Sequence, residues 1–376
     1  MIVDNINKIP LRPRVLVAPL DWGLGHATRC ITIINVLIEH NIEVIIAAEG
    51  PIAKLLQKEF PAIVILRLKG YKINYSRRKE IFFLNMLAQF PKIISAIKNE
   101  KKWLKETVER YKIDAVISDN RFGLHLAKTP CVYVTHQLFI QTGNRFLNKI
   151  VQKIHYRFIN KFNECWVPDA EGINNLAGKL SHPGNLPVRP VKYLGILSRC
   201  KKIITEKKYD LLILLSGPEP QRSIFENMLL AQLNNAEGLI VLVRGLPGGA
   251  EKKLYAENKN LVIHDHLPAE ALNELIQQSV NIIARCGYST IMDLVTLQQN
   301  AILVPTPGQT EQEYLAAYLT GKKMFFTCAQ ENFSLEQALE AARTFNFTST
   351  TSIPGLQKEI ITDWIGTFTK QVTALQ

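Results

Sequence analysis

The chain has 376 residues, of which 47% are hydrophobic, a formal charge of +12 and six cysteines. It is longer than one ordinary domain and apolar enough for two cores, yet no apolar run approaches the roughly 20 residues that cross a bilayer, which excludes a spanning protein. Cys30, Cys131, Cys165, Cys200, Cys286 and Cys328 form no C-x-x-C pair and no cleavable signal precedes the first strand, so a reducing, cytoplasmic setting is expected.

After a tail to Pro13, residues 14–19 form a short apolar strand that runs into D-W-G-L-G-H-A-T-R. A helix over about 27–40 and a strand over 43–48 follow, which makes a β-α-β unit with parallel strands. Gly23-x-Gly25-x-x-Thr28 with Glu49 downstream has the spacing of a dinucleotide fingerprint, but that pattern gives no reason for His26 at the tip of the turn. Strands over 114–118 and 131–134 end at Asp119 and at His136-Gln137. In an open parallel sheet, ligands bind outside the carboxyl ends of the strands, so His26, Asp119 and His136 can share one crevice. A histidine oriented by a carboxylate suits general-base chemistry. The plain alternatives are a loop histidine bonded to backbone and, for Asp119-Asn120, a strand-ending turn.

Between Lys72 and Lys112 there are eleven Lys or Arg against four Glu, and within that stretch residues 81–97 are almost uncharged. Arg145, Lys149, Lys153, Arg157 and Lys161 form a second cationic series. Two readings stay open: a core helix with solvated ends, or an apolar face rimmed by cations for anionic lipid. The basic charge lacks interleaved aromatics and no reader motif appears, so nucleic acid is not an expected partner.

A helix over 149–161, a strand over 164–167, a loop over 195–199 and a basic linker over 200–208 lead to a second β-α-β series. It opens with L-L-I-L-L and the turn Ser216-Gly217-Pro218-Glu219-Pro220-Gln221, whose prolines remove N–H donors. Strands over 239–244 and 261–264 follow, the latter ending in H-D-H-L-P before a helix from Ala269. The buried strand 281–284 then turns at Gly287 into a helix opened by Ser289 and Thr290. Such a helix start attracts a diphosphate through its free N–H groups and dipole, and Asp293, one turn inside, could accept from a ribose diol. A capping box, Thr290-x-x-Asp293, would use the same residues without a ligand. After a strand over 301–304, Pro305, Pro307 and Gly308 stiffen a turn carrying Gln309, Glu311 and Gln312, side chains that suit sugar hydroxyls.

The block from Arg285 to Tyr314 resembles the donor site of GT-B glycosyltransferases, especially the family 28 enzymes related to MurG and the UDP-glycosyltransferases, and G-L-G-H-A-T-R resembles their first loop. The resemblance implies an α/β chain of the GT-B type, with two Rossmann-like doubly wound parallel-sheet domains facing a central cleft. Residues 1–200 would bind acceptor, 201–355 would bind nucleotide sugar, and a helix within 356–376 would pack back on the first domain. By likeness, Gly287, Ser289 and Thr290 hold the diphosphate, Asp293 the ribose and Glu311 with Gln312 the hexose. The backbone at Leu267 meets the base, Ser216 and Gly217 form the second phosphate-facing loop, and Arg285 stands in the donor site where many relatives carry His.

In the first half the likeness makes His26 the base, oriented by Asp119. Gly25, His136 and Asn144 would face acceptor or phosphate, and Arg199 would add positive charge as the diphosphate leaves. H-Q-L-F-I-Q-T-G-N-R-F-L resembles the MurG-type segment best at Gly143, Asn144 and Arg145, but is two residues shorter, which leaves open whether His136 or Gln137 faces the acceptor. The implied reaction is inverting transfer of a hexose, such as N-acetylglucosamine, from a UDP-sugar to a hydroxyl of a lipid-linked or cell-envelope acceptor. A non-hydrolysing nucleotide-sugar epimerase and a non-catalytic nucleotide-sugar-binding subunit are the alternatives. No D-x-D pair occurs, so neither metal nor cofactor is expected.

Overall fold

The computed structural model describes residues 12–21, 23–71, 79–142, 144–234, 236–246, 248–249 and 258–375, without the side chains of 79–90, 145 and 372–375. Gly143 and the segment with Arg77 and Arg78 therefore lie outside the described residues.

The first half contains β1 (Arg14–Ala18), α1 (Leu24–Glu39), β2 (Glu43–Ala48), α2 (Gly50–Glu59), β3 (Val64–Arg67), α3 (Lys79–Tyr111), β4 (Ala115–Asp119), β5 (Cys131–Val134), α4 (Arg145–Ile159), β6 (Glu164–Val167) and β7 (Val191–Tyr193). The second contains β8 (Tyr209–Leu214), α5 (Gln221–Leu233), β9 (Ile240–Val243), β10 (Leu261–His264), α6 (Ala269–Gln278), β11 (Ser279–Arg285), α7 (Tyr288–Leu297), β12 (Ile302–Val304), α8 (Thr310–Gly321), β13 (Phe326–Thr327), α9 (Leu335–Thr344) and α10 (Lys358–Leu375). Apolar strands alternate with helices throughout, and such strands need cover on both faces, so the sheets are parallel and layered between helices.

The sheet orders are β3-β2-β1-β4-β5-β6-β7 and β10-β9-β8-β11-β12-β13, every pairing parallel. In each, the winding reverses at one place: between β1 and β4 in the first sheet, between β8 and β11 in the second. A crevice opens at the carboxyl ends of strands where winding reverses, so topology alone places two candidate crevices. One is bounded by the β1–α1 loop and Asp119, the other by Ser216-Gly217 and the β11–α7 turn.

One apolar cluster joins the halves. It includes Val15, Val17, Ile33 and Ile34 from the first sheet and α1, and Ile282, Ala284, Ile291 and Leu294 from the second sheet and α7. Separate clusters fill the far faces, around Tyr133 and Phe162 in one half and Phe225 and Ile283 in the other. The last helix rests on the first half: Trp364 meets Trp166 edge-on at 5.3 Å, Lys358 pairs with Glu39 at 2.7 Å and Thr362 bonds His40 at 3.1 Å.

Two boundaries differ from the expectation in ways that matter. α1 begins at Leu24, three residues before the expected Ala27, because Gly23 takes φ +133°, a conformation few other residues adopt, and starts the helix there. Gly25 and His26 are consequently in the first helical turn and not in a preceding loop. α4 begins at Arg145, ahead of the expected 149, because the Asn144 side chain accepts from Phe146 N at 2.9 Å and Leu147 N at 3.2 Å and caps the helix.

Candidate active site

The two crevices meet. Gly25 in α1 and Ser289 in α7 touch directly: the Ser289 hydroxyl donates to the Gly25 carbonyl at 3.0 Å, and a Cβ added at Gly25 would lie 2.6 Å from Ser289 Oγ. A side chain at position 25 would displace the Ser289 hydroxyl and break this bond. The α7 start has no side-chain cap. The alternative capping box, Thr290-x-x-Asp293, does not form: the helix cap is Gly287, and Asp293 accepts from Ser198 Oγ at 2.5 Å. The first turn of α7 therefore has no side-chain acceptor at its cap, and the positive end of the helix dipole faces that way.

His26 lies one residue beyond Gly25. Its Nδ1 is 3.1 Å from Asp119 Oδ2, so the expected pair, 93 residues apart in the sequence, is brought together by α1 and the end of β4. The sequence reading missed its third member, Arg29. One turn along α1 from His26, Arg29 donates from Nε to Asp119 Oδ2 at 2.8 Å and pairs through Nη2 with Oδ1 of the same carboxylate. The same guanidinium lies 2.7 Å from His26 Nδ1 and, through Nη1, 3.1 Å from His136 Nδ1. Arg29 and Asp119 are only 2% and 0% exposed, so this pair sits in a low dielectric where its charges act strongly. Burial would raise the Asp119 carboxyl, but Arg29 and His26 outweigh it and hold it well below the usual range. Burial and the Arg29 charge push the His26 imidazole down, more than Asp119 pushes it up.

His136, and not Gln137, enters the cleft. Its ring stacks on Tyr288 at 4.2 Å and its Nε2 lies 2.6 Å from Glu311 Oε1 on α8, so a bond crosses between the halves. Burial alone would raise Glu311; His136, His26 and Arg29 hold it below its ordinary value. α8 is fastened further by Thr310 Oγ1 to the Gln141 carbonyl at 3.0 Å and by Lys179 N to Tyr314 Oη at 2.7 Å. Gln312 serves its own loop, accepting from Thr306 N at 2.9 Å and donating to Gln309 at 2.6 Å.

Other expected site residues lie farther off. Arg285 is 1% exposed and points to the sheet face opposite α7, because strand alternation sends Ala284 and Cys286 toward α7 and Ile283 with Arg285 the other way. Its guanidinium stands 4.3 Å over the Phe225 ring and donates to the Gln221 carbonyl at 2.9 Å, so it is part of the far core and does not face the donor side. Asn144 is spent as a helix cap. The start of α5, below Ser216 and Gly217, is already served by an internal anion: Glu219 accepts from Ser223 N at 3.2 Å. Arg199 lies 3.7 Å from Glu59, and its charge bears on His266 and Asp293, toward the turn that carries Leu267. Burial raises the Asp293 carboxyl, which Ser198 and Arg199 partly offset. Among the described residues no helix is long and apolar enough to cross a membrane, and no His, Cys, Asp and Glu group has metal-site geometry.

This arrangement can accept an acidic phosphate at one helix start and a proton at a histidine beside it. Residues 246–355 match the family model described as the glycosyltransferase family 28 C-terminal domain, and residues 15–161 match glycosyl transferase family 1. A Methanosarcina acetivorans protein named as an uncharacterized glycosyltransferase is 26% identical over 324 residues, covering 78% of this chain and 80% of its own length. A Clostridium tetani protein is 25% identical over 295 residues, 75% of each chain; it is named UDP-N-acetylglucosamine--N-acetylmuramyl-(pentapeptide) pyrophosphoryl-undecaprenol N-acetylglucosamine transferase. Among solved structures, the glycosyltransferase SnogD from Streptomyces nogalater superimposes with a TM-score of 0.60 at 14% identity, over 95% of this chain and 100% of that one. MurG from Acinetobacter baumannii gives 0.52 at 16% identity, over 89% and 90%. The doubly wound pair of sheets and these matches agree: the chain has the GT-B glycosyltransferase fold, and its residues 246–355 are those of a family 28 C-terminal domain.

Proposed function

We propose that the chain is an inverting transferase that moves a hexose, such as N-acetylglucosamine, from a UDP-sugar to a hydroxyl of a lipid-linked or cell-envelope acceptor, on the cytoplasmic face of a membrane and without a metal ion. The observation that carries this reading is the contact of Ser289 with Gly25, which sets an uncapped helix start beside the His26–Asp119 pair. Inversion needs one displacement, with a base on one side of the anomeric carbon and a stabilised leaving group on the other. His26 comes from the first half and the anion-binding helix start from the second. The halves now touch, so a donor enters by opening them, and their closure afterwards excludes water. Arg29 supplies the positive charge where His26, Asp119, His136 and Glu311 converge, and the positive end of the α7 dipole stabilises the negative charge of the leaving diphosphate. The name of the Clostridium tetani relative, with its UDP-sugar donor and pyrophosphoryl-undecaprenol acceptor, points the same way.

The test is to incubate the purified protein with a panel of nucleotide sugars, with and without membrane lipid extract. UDP release that requires extract is the expected result. Release without acceptor would favour the epimerase, and tight UDP binding without turnover of any donor would favour a binding subunit.

The lipid side of the proposal rests on α4. Its outer face carries Phe146, Ile150 and Ile154 at helical spacing, 71%, 43% and 38% exposed, and between them exposed Lys149, Lys153 and Arg157. The helix has no acidic residue. Lys161 follows, and burial with the neighbouring charges of Lys101 and Arg157 pushes its ammonium down. Apolar side chains rimmed by unneutralised cations fit an anionic bilayer surface. Each cation near such a surface contributes about 1 kcal/mol, so replacing Lys149, Lys153 and Arg157 with Gln should weaken co-sedimentation with phosphatidylglycerol vesicles by about 100-fold. Equal pelleting of variant and parent, or equal pelleting with neutral vesicles, would remove the membrane from the proposal.

A further inference from the structure

We propose that Arg29 is a positioning residue that sets which ring nitrogen of His26 carries the proton: it keeps the proton on Nε2 while the cleft is locked by the His136–Glu311 bond and releases it to Nδ1 when that lock loosens. The inference rests on the reading of His26 as the base, and it changes when that base is competent.

Four groups bear on the His26 ring: Asp119 from β4, Arg29 from the same helix, His136 from the loop after β5 and, beyond it, Glu311 from α8. Two of them claim the same atom. Nδ1 lies 3.1 Å from Asp119 Oδ2 and 2.7 Å from Arg29 Nη2. A guanidinium N–H only donates. At 2.7 Å it requires a lone pair on Nδ1, which places the ring proton on Nε2. The opposite tautomer, with Nδ1–H toward Asp119, would set two donors against each other. The Asp119 carboxylate does not lack donors in the first arrangement, because Nε and Nη2 of Arg29 both reach it.

The same logic extends across the cleft. His136 Nδ1 faces Arg29 Nη1 at 3.1 Å and accepts from it, so His136 Nε2 carries the hydrogen that Glu311 accepts at 2.6 Å. One assignment gives every N–H in the contacts linking Glu311, His136, Arg29 and His26 an acceptor, and leaves His26 Nδ1 and Asp119 Oδ2, 3.1 Å apart, as two acceptors that share the Arg29 guanidinium. Both rings are neutral and both carry hydrogen on Nε2. For His26 that is the wrong tautomer for a base, since Nε2 is the nitrogen left to face an acceptor and it needs a lone pair. Moving the hydrogen to Nδ1 requires Arg29 Nη2 to yield that position to Asp119. Arg29 is held there by its third bond, to His136, and His136 is held by Glu311. A sugar hydroxyl that engages Glu311 loosens the series from its far end, so the base is armed once a donor is present. Arg29 replaces no atom of the reaction; it acts through His26.

The experiment is nitrogen NMR of the full-length protein labelled with 15N at histidine, read without substrate, in the parent and in Arg29→Met, Arg29→Lys and Glu311→Gln. The expected result is Nε2–H at His26 in the parent, Nδ1–H or imidazolium in Arg29→Met, and a shift toward Nδ1–H in Glu311→Gln. The acidic limb of kcat/KM should also move to higher pH in Arg29→Met, because the Arg29 charge no longer opposes protonation of His26. Nδ1–H at His26 in the parent overturns the inference, whatever the variants do, as does Nε2–H persisting in Arg29→Met. Should Arg29→Met not fold, the parent spectrum and Glu311→Gln decide. Since the spectra need no turnover, absence of transfer with the tautomers as expected would sink the transferase reading alone.

Discussion

His26→Ala is expected to lower kcat for hexose transfer by about 1,000-fold, the middle of the range for a lost general base, while the dissociation constant for UDP stays within about threefold. The split follows from where the parts come from. His26 is on α1 of the first half, whereas the helix start proposed to hold the diphosphate is in the second, so removing the imidazole leaves donor binding in place. Arg29 keeps both of its bonds to Asp119 in the variant, so the local fold survives. The pH dependence carries a second signature. A base must be neutral to act, and neutral above its pKa. Burial and Arg29 depress the His26 value, so the acidic limb of kcat/KM in the parent should lie below the ordinary imidazole value of about 6.5. Turnover of His26→Ala close to the parent would remove His26 from the mechanism, and a limb above that value would contradict its buried, Arg29-flanked setting.

Asp119→Ala is expected to destabilise the first half by about 3–5 kcal/mol, the cost of leaving one member of a buried ion pair alone. With Asp119 gone, the 2% exposed Arg29 retains only the two imidazoles and no carboxylate within bonding reach among the described residues. For a half of this size that corresponds to a fall in Tm of roughly 6–20 °C, measurable by calorimetry or circular dichroism. The linkage sign can be checked separately. The Asp119 carboxyl is held below its unfolded value, so its stabilising effect is complete above the ordinary carboxylate range and is lost as pH falls through the folded value. The stability gap between the parent and Asp119→Asn should therefore be full at neutral pH and shrink below about pH 4. A double variant, Arg29→Met with Asp119→Leu, should recover much of the lost stability without recovering transfer. Should Asp119→Ala melt with the parent, the pair contributes nothing to the fold and Asp119 is left with the chemistry alone.

Much of the architecture was legible before any coordinates. Apolar runs of four to six residues separated by helical periods forced parallel, doubly wound sheets, and strand ends at Asp119 and His136 put those side chains at one edge with His26. Gly25 and Gly287 marked turns where backbone comes close, and the first proved to be where the halves touch. Arg29 follows His26 by three residues in the sequence, but it becomes its neighbour only if the helix already includes His26. The boundary at Gly23, one turn earlier than its periodicity suggested, decided that. Arg285 shows how a motif can mislead: its position in the donor block suggested a ligand, whereas the parity of β11 turns it to the far core.

Strand, helix and turn are written in windows of about ten residues, since periodicity, caps and glycine conformations act at that range, and so local pattern was enough for the two sheets, the glycine turns and the helix start of α7. The tertiary structure alone decided the pairing of Glu311 with His136, 175 residues away, the diversion of Asp293 to Ser198, and the ownership of Asp119 by Arg29. The first two partners are chosen when the two halves dock over a shared apolar cluster and the third when α1 packs on the first sheet, and no local pattern encodes how separately built surfaces will meet.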